Sequence, residues 1–406
     1  MQSLRTLAPS EWLFVLGNVR LAVWDTFPAP DVQALDRALA ELTSRHRLLG
    51  SVISPSANGW DFHPQPTPPR VTVLAHEATL DGALADLMAD GDAPSLQAAL
   101  LPAPTGYTLL LVVHHSVCDG QSSTALGQEF MQLYHQGVNA PAAPPVPACP
   151  LPPPMETLIG ATHHPLADLQ KYAARRSQQA RHLDIAQLPH LSGSGPHGFT
   201  FRRINLSRSE TAGILNAART ARLSPHALFA GAYLAAARHV TDIPGHRLAT
   251  MVCHMPIDMR RRLRLTPNTQ MFATSGLHTV VHLDSDAHPA AIGRAVTRQM
   301  HHAVKAGDLE REIMALPLLT DGPPLPITLG LANQGMTPTP TARPGSSTSL
   351  QGVPLVPAPF PIAAAAVISD RLHINLPYFR PWLTDDTMET LTQEIHTTLS
   401  ALAARA

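Results

Sequence analysis

Two adjacent histidines followed by an Asp-Gly pair hold the most chemistry in this chain: His114, His115, Ser116, Val117, Cys118, Asp119, Gly120. With 22 His, 24 Gly and no more than 30 Asp in 406 residues, random placement produces this spacing in at most about one chain in 200. The pair ends the apolar run "LLLVV" (109–113) and precedes "GQSSTALGQEF", which has helical spacing. A buried strand that gives way to a helix projects side chains into a crevice. Neighbouring residues on a strand point to opposite faces, so the two imidazoles serve different surroundings: one faces the cleft, the other packing. A cleft-facing imidazole at a strand end is a natural general base near neutral pH. Asp119 comes after a tight turn and has two readings, a partner for the ring or a brace that holds the turn through an arginine. Gly120 would permit close backbone approach or a positive φ before the helix. The competing reading makes both histidines satisfied core groups beside an ordinary turn. A His-His-Asp metal site is weaker, because no further ligand follows at suitable spacing.

The elements that must position this turn mix helix and strand. Helical spacing runs through 31–46 (Val32, Leu35, Ala38, Leu39, Leu42) and through 120–138 (Leu126, Phe130, Leu133, Tyr134). "YTLLLVV" (107–113) has the length and composition of a buried strand. Further strands are expected at 198–207, 277–284 and 371–379, where Pro377 marks an edge or a strand end. Ser207 with Glu210 forms a capping box, Ser224-Pro225 starts a second helix, and a last helix covers 384–404. No internal repeat is visible. The fold class is α/β, α and β mixed, in two halves.

Composition sets limits. A chain of 406 residues exceeds one compact core. A formal net charge of -1 gives no steering toward nucleic acid or anionic membrane. Cys118, Cys149 and Cys253 are odd in number and lack metal-ligand spacing, which suits a reducing cytoplasm. Glu11 and Arg20 interrupt the N-terminal apolar run, against a signal peptide, and no segment has the length of a membrane span. Forty prolines cluster in "APAAPPVPACPLPPP" (140–154). Extended, this strap would reach about 45 Å. It divides an N-terminal part (1–139), a linker (140–160) and a C-terminal part (161–406).

The turn resembles the HHxxxDG signature of the condensation and acyltransferase superfamily. That group includes chloramphenicol acetyltransferase, plant BAHD acyltransferases, wax ester synthases and the condensation domains of nonribosomal peptide synthetases. The likeness is greatest to stand-alone polyketide-associated acyltransferases typified by phthiocerol dimycocerosyl transferase. "LAPSEWLF", "LTSRHRLLGSVI", the strap followed by "METLIGA", "CHMPIDMRRRL" with its Pro-x-Asp-x-Arg segment, "NTQMFATSG" and "LANQGM" support it. The Asp-Phe-Gly-Trp-Gly motif of the plant branch is missing, as are the longer late motifs of peptide-forming condensation domains.

The resemblance implies two chloramphenicol acetyltransferase-like lobes with the active-site tunnel between them. It makes His115 the general base, with His114 beside it. It implies that the base deprotonates an alcohol, or an amine, as that group attacks an acyl thioester. It makes Asp119 architectural and paired with an arginine, for which Arg260 is the candidate. Asn333 in "LANQGM" is the candidate oxyanion donor, against a plain turn role beside Gly335. The family uses neither a metal nor a covalent acyl-enzyme, so no cofactor is expected beyond a phosphopantetheine or coenzyme A thioester as substrate carrier. The expected partners are an acyl carrier protein or acyl-CoA donor and a small-molecule acceptor, for a monomeric cytoplasmic enzyme without nucleic acid or a membrane span. The cluster Arg260, Arg261, Arg262 and Arg264 would meet an acidic carrier protein or phosphates; its plain reading is a solvated face with one structural arginine. His163-His164 and His301-His302 have no Asp-Gly and are assigned no role. Two rival functions are an amide-forming stand-alone condensation enzyme and a non-catalytic carrier-protein docking module.

Overall fold

The computed structural model describes residues 2–89, 94–104, 106–139, 148–160, 164–191, 198–267, 269–319, 324–337 and 351–405. Residues 140–147 of the proline strap, His163 and Asn268 lie outside them. The chain opens with β1 (Arg5–Thr6), α1 (Pro9–Leu16), β2 (Arg20–Phe27), α2 (Val32–Arg45), β3 (Ser51–Ser56), β4 (Gly59–Pro64) and β5 (Val71–Val73). It continues through α3 (Leu80–Ala89), β6 (Leu96–Ala103), β7 (Gly106–His114), α4 (Gly120–Asn139) and α5 (Met155–Ile159). Next come α6 (Leu166–His182), β8 (Phe199–Asn205), α7 (Arg208–Thr220), α8 (Pro225–Val240), β9 (Ala249–Asp258) and β10 (Thr274–Leu283). The last elements are α9 (Pro289–Ala306), α10 (Asp308–Met314), α11 (Leu316–Leu319), β11 (Leu329–Thr337), β12 (Gln351–Leu355), β13 (Ile362–Ile368), β14 (Arg371–Phe379) and α12 (Asp385–Ala404).

Two compact units result. The first comprises Met1–Leu158, Arg260–Ala273 and Thr339–Pro357; the second comprises Ile159–Met259, Thr274–Pro338 and Ala358–Ala406. The division therefore differs from one at the strap, since two stretches of the 161–406 part belong to the first unit. Long-range pairing is the reason. β12 is an antiparallel partner of β2, and the β9–β10 connection carries the partner of Asp119 described below.

In the first unit a five-stranded sheet has the order β12-β2-β7-β6-β5, beside a three-stranded sheet β1-β4-β3. β7 is central and antiparallel to both β2 and β6. Leu109, Leu111 and Val113 of β7 join one cluster with Leu35, Leu39 and Leu42 of α2 and with Leu126, Phe130 and Leu133 of α4. Leu110 and Val112, on the other face, are also fully buried. A strand covered on both faces reads as an unbroken apolar run, which is why "LLLVV" does not alternate. Each fully buried leucine here contributes roughly 1.5–3 kcal/mol.

The second unit is built on a six-stranded mixed sheet, β10-β9-β11-β13-β14-β8. The capping box forms as its residues imply: Ser207 Oγ accepts the Glu210 N–H, and Glu210 accepts the Ser207 N–H. Ser224 caps α8 through the Ala227 N–H. β14 spans the expected residues but is an inner strand. Beyond Asn375 its pairing is with β8 alone, so Pro377 withholds no donor from a second neighbour. α8 and α9 cross closely at two glycines. A Cβ on Gly231 would sit 2.0 Å from the Pro289 carbonyl oxygen, and one on Gly293 would sit 2.6 Å from that of Ala227.

Candidate active site

β7 ends at His114, and the backbone on either side of the step to His115 is fixed. The His114 N–H donates to Ser95 O at 2.8 Å, the His115 N–H to Val19 O at 3.0 Å, and the Val117 N–H to His114 O at 3.0 Å. The two imidazoles then have unlike surroundings. His114 is buried, and its Nδ1 accepts the Ser116 N–H at 3.2 Å. Burial, then the positive charge of Arg20, push its pKa down to about 3, so it is a neutral structural group near pH 7.

His115 lies just past the strand. Its ring stacks on Phe14 (centroids 4.2 Å apart, planes 8° apart) and meets the edge of Phe272 at 5.7 Å. Those two phenylalanines also touch each other, edge to face at 4.9 Å. Nδ1 is sealed from solvent without a partner in hydrogen-bonding geometry. Nε2 has no hydrogen-bond partner among the described residues, and the residue as a whole keeps partial exposure. Burial lowers the His115 pKa; the backbone of His115 and Cys118 and the negative charge of Asp119 act the other way without cancelling it. The ring is a neutral, aromatic-walled imidazole near pH 7.

Asp119 is fully committed elsewhere. Oδ1 accepts the Ser122 N–H at 2.9 Å, which caps the start of α4, and Arg260 Nη2 at 3.1 Å. Oδ2 accepts Arg260 Nη1 at 2.8 Å and the Ala273 N–H at 2.9 Å. Four donors match the roughly four lone-pair sites of a carboxylate. Burial alone would raise its pKa, but the charge and hydrogen bonds of Arg260, with the two backbone amides, hold it below the ordinary carboxylate range. Arg260 is equally engaged. Nε donates to Thr269 O at 3.1 Å, and Nη2 donates to Ser122 Oγ at 2.6 Å and to Met271 O at 2.9 Å. Both side chains are 2% exposed.

The structure thus brings His114, His115, Asp119, Gly120 and Arg260 together within the first unit. Gly120 is the first residue of α4 and does not take the left-handed conformation, so that use of the glycine is corrected. Arg261, Arg262 and Arg264 are exposed, unlike Arg260. Asn333 falls in the second unit, where its Oδ1 accepts the Gly335 N–H at 2.8 Å. Gly335 has φ 73°, and β11 bulges between Asn333 and Met336. His301 and His302 are exposed on α9. Reading the sequence missed Phe14, Phe272 and Ser122. The first two lie in "LAPSEWLF" and "NTQMFATSG", but no local pattern marks an aromatic as the wall of a histidine that is distant in sequence. Among the described residues no cluster of His, Cys, Asp and Glu has metal-binding geometry. No described helix is long and apolar enough to cross a membrane.

A mixed α/β chain with two extended sheets, carrying an HHxxxDG turn at the end of a central strand, has the fold of condensation domains and acyltransferases. Comparison with known proteins narrows this. Residues 195–346 match the family model described as the C-terminus of phthiocerol/phthiodiolone dimycocerosyl transferase. The chain is similar to the phthiocerol/phthiodiolone dimycocerosyl transferase of Mycobacterium leprae, 24% identical over 271 residues; the matched stretch spans 63% of this chain and 63% of the relative. Polyketide synthase associated protein 5 from Mycobacterium tuberculosis superposes with a TM-score of 0.74 at 18% identity, covering 98% of both chains. A trichothecene 15-O-acetyltransferase from Fusarium sporotrichioides gives 0.71 at 13% identity, covering 98% of this chain and 95% of that one. The first condensation domain of the calcium-dependent antibiotic synthetase gives 0.69 at 17% identity, covering 100% and 97%.

Proposed function

We propose that this protein is an acyltransferase of polyketide-associated or related natural-product biosynthesis. In this reading it transfers an acyl group from a carrier-protein or coenzyme A thioester to an alcohol, with His115 as general base. The observation that carries it is the His115 ring: neutral, walled by Phe14 and Phe272, with Nε2 unpartnered. The proton rests on the sealed Nδ1, leaving the Nε2 lone pair to act. Nε2 takes the hydroxyl proton as the acceptor oxygen attacks the thioester carbonyl carbon. The tetrahedral intermediate collapses, the C–S bond breaks, and the departing sulfur takes the proton back from the imidazolium. The products are an ester and a free thiol, and the histidine returns to its starting state.

A thioester is already activated, so alignment of the two substrates can supply several kcal/mol of the barrier. Asp119 has no part in the proton transfer. It and Arg260 keep the turn rigid, so the ring is held before substrates arrive. The relatives support acyl transfer, since their names include a dimycocerosyl transferase and an O-acetyltransferase. Alcohol and amine acceptors are distinguished by experiment. The full chain is incubated with a panel of acyl thioesters and with alcohols or amines, and compared with His115→Gln. We expect ester formation in the wild type and a loss of about 10²–10⁴-fold in the variant. Undiminished turnover by His115→Gln would remove the assigned base; amide as the main product would replace the ester reading. Absence of turnover with every pair would favour a docking role.

A further inference from the structure

The first unit also contains a cavity of about 330 Å3, the size of a small ligand pocket. It is walled by residues just after α2, by the described end of the proline strap, by α4 and by the segment after Arg260. Leu48, Leu49, Leu126, Leu151, Leu265 and Met271 give it an aliphatic body. No carboxylate lines it; Arg47 does, as does His46, whose ring is engaged with Glu129 at 2.8 Å. Arg47 is exposed and has no ion pair or hydrogen bond among the described residues. The acids nearest in sequence and contact are already engaged: Glu41 with Arg45, and Glu129 with Arg45 and His46.

We infer that this cavity binds an aliphatic carboxylate, its chain along the leucines and its head on the Arg47 guanidinium. Guanidinium–carboxylate pairing is short and charge-assisted, and the alkyl chain finds a concave apolar wall. The site touches the catalytic turn without including it. Val117 stands two residues after His115, and the carbonyl of Met271 accepts from Arg260. An occupant would therefore bear on the residues that hold the turn.

Cys149 lines the cavity and is exposed, whereas Cys118 and Cys253 are buried. Alkylation of the full chain by N-ethylmaleimide, followed by mass spectrometry, thus reports on occupancy. Decanoate is titrated below its micelle concentration, with decyltrimethylammonium as the cationic match. We expect saturating decanoate to slow alkylation of Cys149 by about fivefold or more, as burial of most of a bound ligand implies, and the cation to leave the rate unchanged. Arg47→Gln should raise the half-protecting concentration about tenfold, the equivalent of one modest charge contact. Leu151→Trp, which fills the cavity, should abolish protection. Lack of protection in the wild type, equal protection by the cation, or full protection in a folded Leu151→Trp would each overturn the site. Should that variant not fold, calorimetric titration of the wild type with decanoate decides, one saturable site being expected and none being fatal. No turnover is needed, so this inference and the acyl-transfer reading fail separately.

Discussion

At the scale of single residues, the two histidines share a sequence step but not an environment, and titration separates them. As the proposed general base, His115 would work only when neutral. Its pKa is lowered by burial, so kcat/KM should be small at acid pH, rise as the ring loses its proton, and level off. The midpoint should fall below 6.5, and a pH–rate profile with its acid limb centred above that value would contradict the site described. His114 affects stability instead. Folded, its pKa is about 3 against 6.5 for the free side chain, so between those values the unfolded chain binds the extra proton. Its contribution is therefore intact above about pH 6.5 and is lost as pH falls toward 3. Asparagine at this position keeps an acceptor for the Ser116 N–H but does not titrate. Urea unfolding at pH 7 and pH 5 should show His114→Asn with a pH difference smaller by about 2 kcal/mol than the wild type. An identical difference in both proteins would show that His114 is not the group responsible.

At the scale of elements, the strand–turn–helix around the signature depends on a connection from far along the chain. Arg260 meets Asp119 in a bidentate pair with both groups buried. A buried pair of this kind is weak evidence for net stabilisation, but removal of one member leaves an uncompensated charge and costs about 3–5 kcal/mol. Asp119→Ala should therefore lower thermal stability and activity together, as should Arg260→Met. The double variant Asp119→Leu/Arg260→Met should unfold at a higher temperature than the two separate losses would sum to. Melting curves and steady-state rates on the same samples test this. A fully stable Asp119→Ala protein with activity abolished would instead place Asp119 in the chemistry.

At the scale of the whole molecule, the first unit is not a continuous piece of sequence. Its sheet takes β12 as the neighbour of β2, and its turn takes Arg260 and the Ala273 N–H. Residues 1–158 expressed alone would leave the β2 edge uncovered and Asp119 buried without its cation. We expect that fragment to lack a cooperative thermal transition and to be cut rapidly by protease, and co-expression with 159–406 to restore both protection and a single soluble species. A well-folded isolated fragment, judged by dispersed amide NMR signals, would show that the later segments are dispensable.

The sequence by itself determined the local features: the buried strand 107–113, the α2 and α4 stripes, the caps at Ser207 and Ser224, and the spacing of His114, His115 and Asp119. Each follows from a period or a contact spanning a few residues, and such patterns are written in neighbours. Position 115 as the open ring was not fixed by the alternation of a strand, which says only that two neighbours differ. Tertiary structure separated them, by stacking Phe14 and Phe272 on one ring and burying the other. It also engaged Asp119 with Arg260, put Asn333 to work in a bulge and assigned 260–273 to the first unit. The contacts of His115 with Phe14 and Phe272, and of Asp119 with Arg260, join residues more than a hundred positions apart, and local periodicity holds no record of such partners.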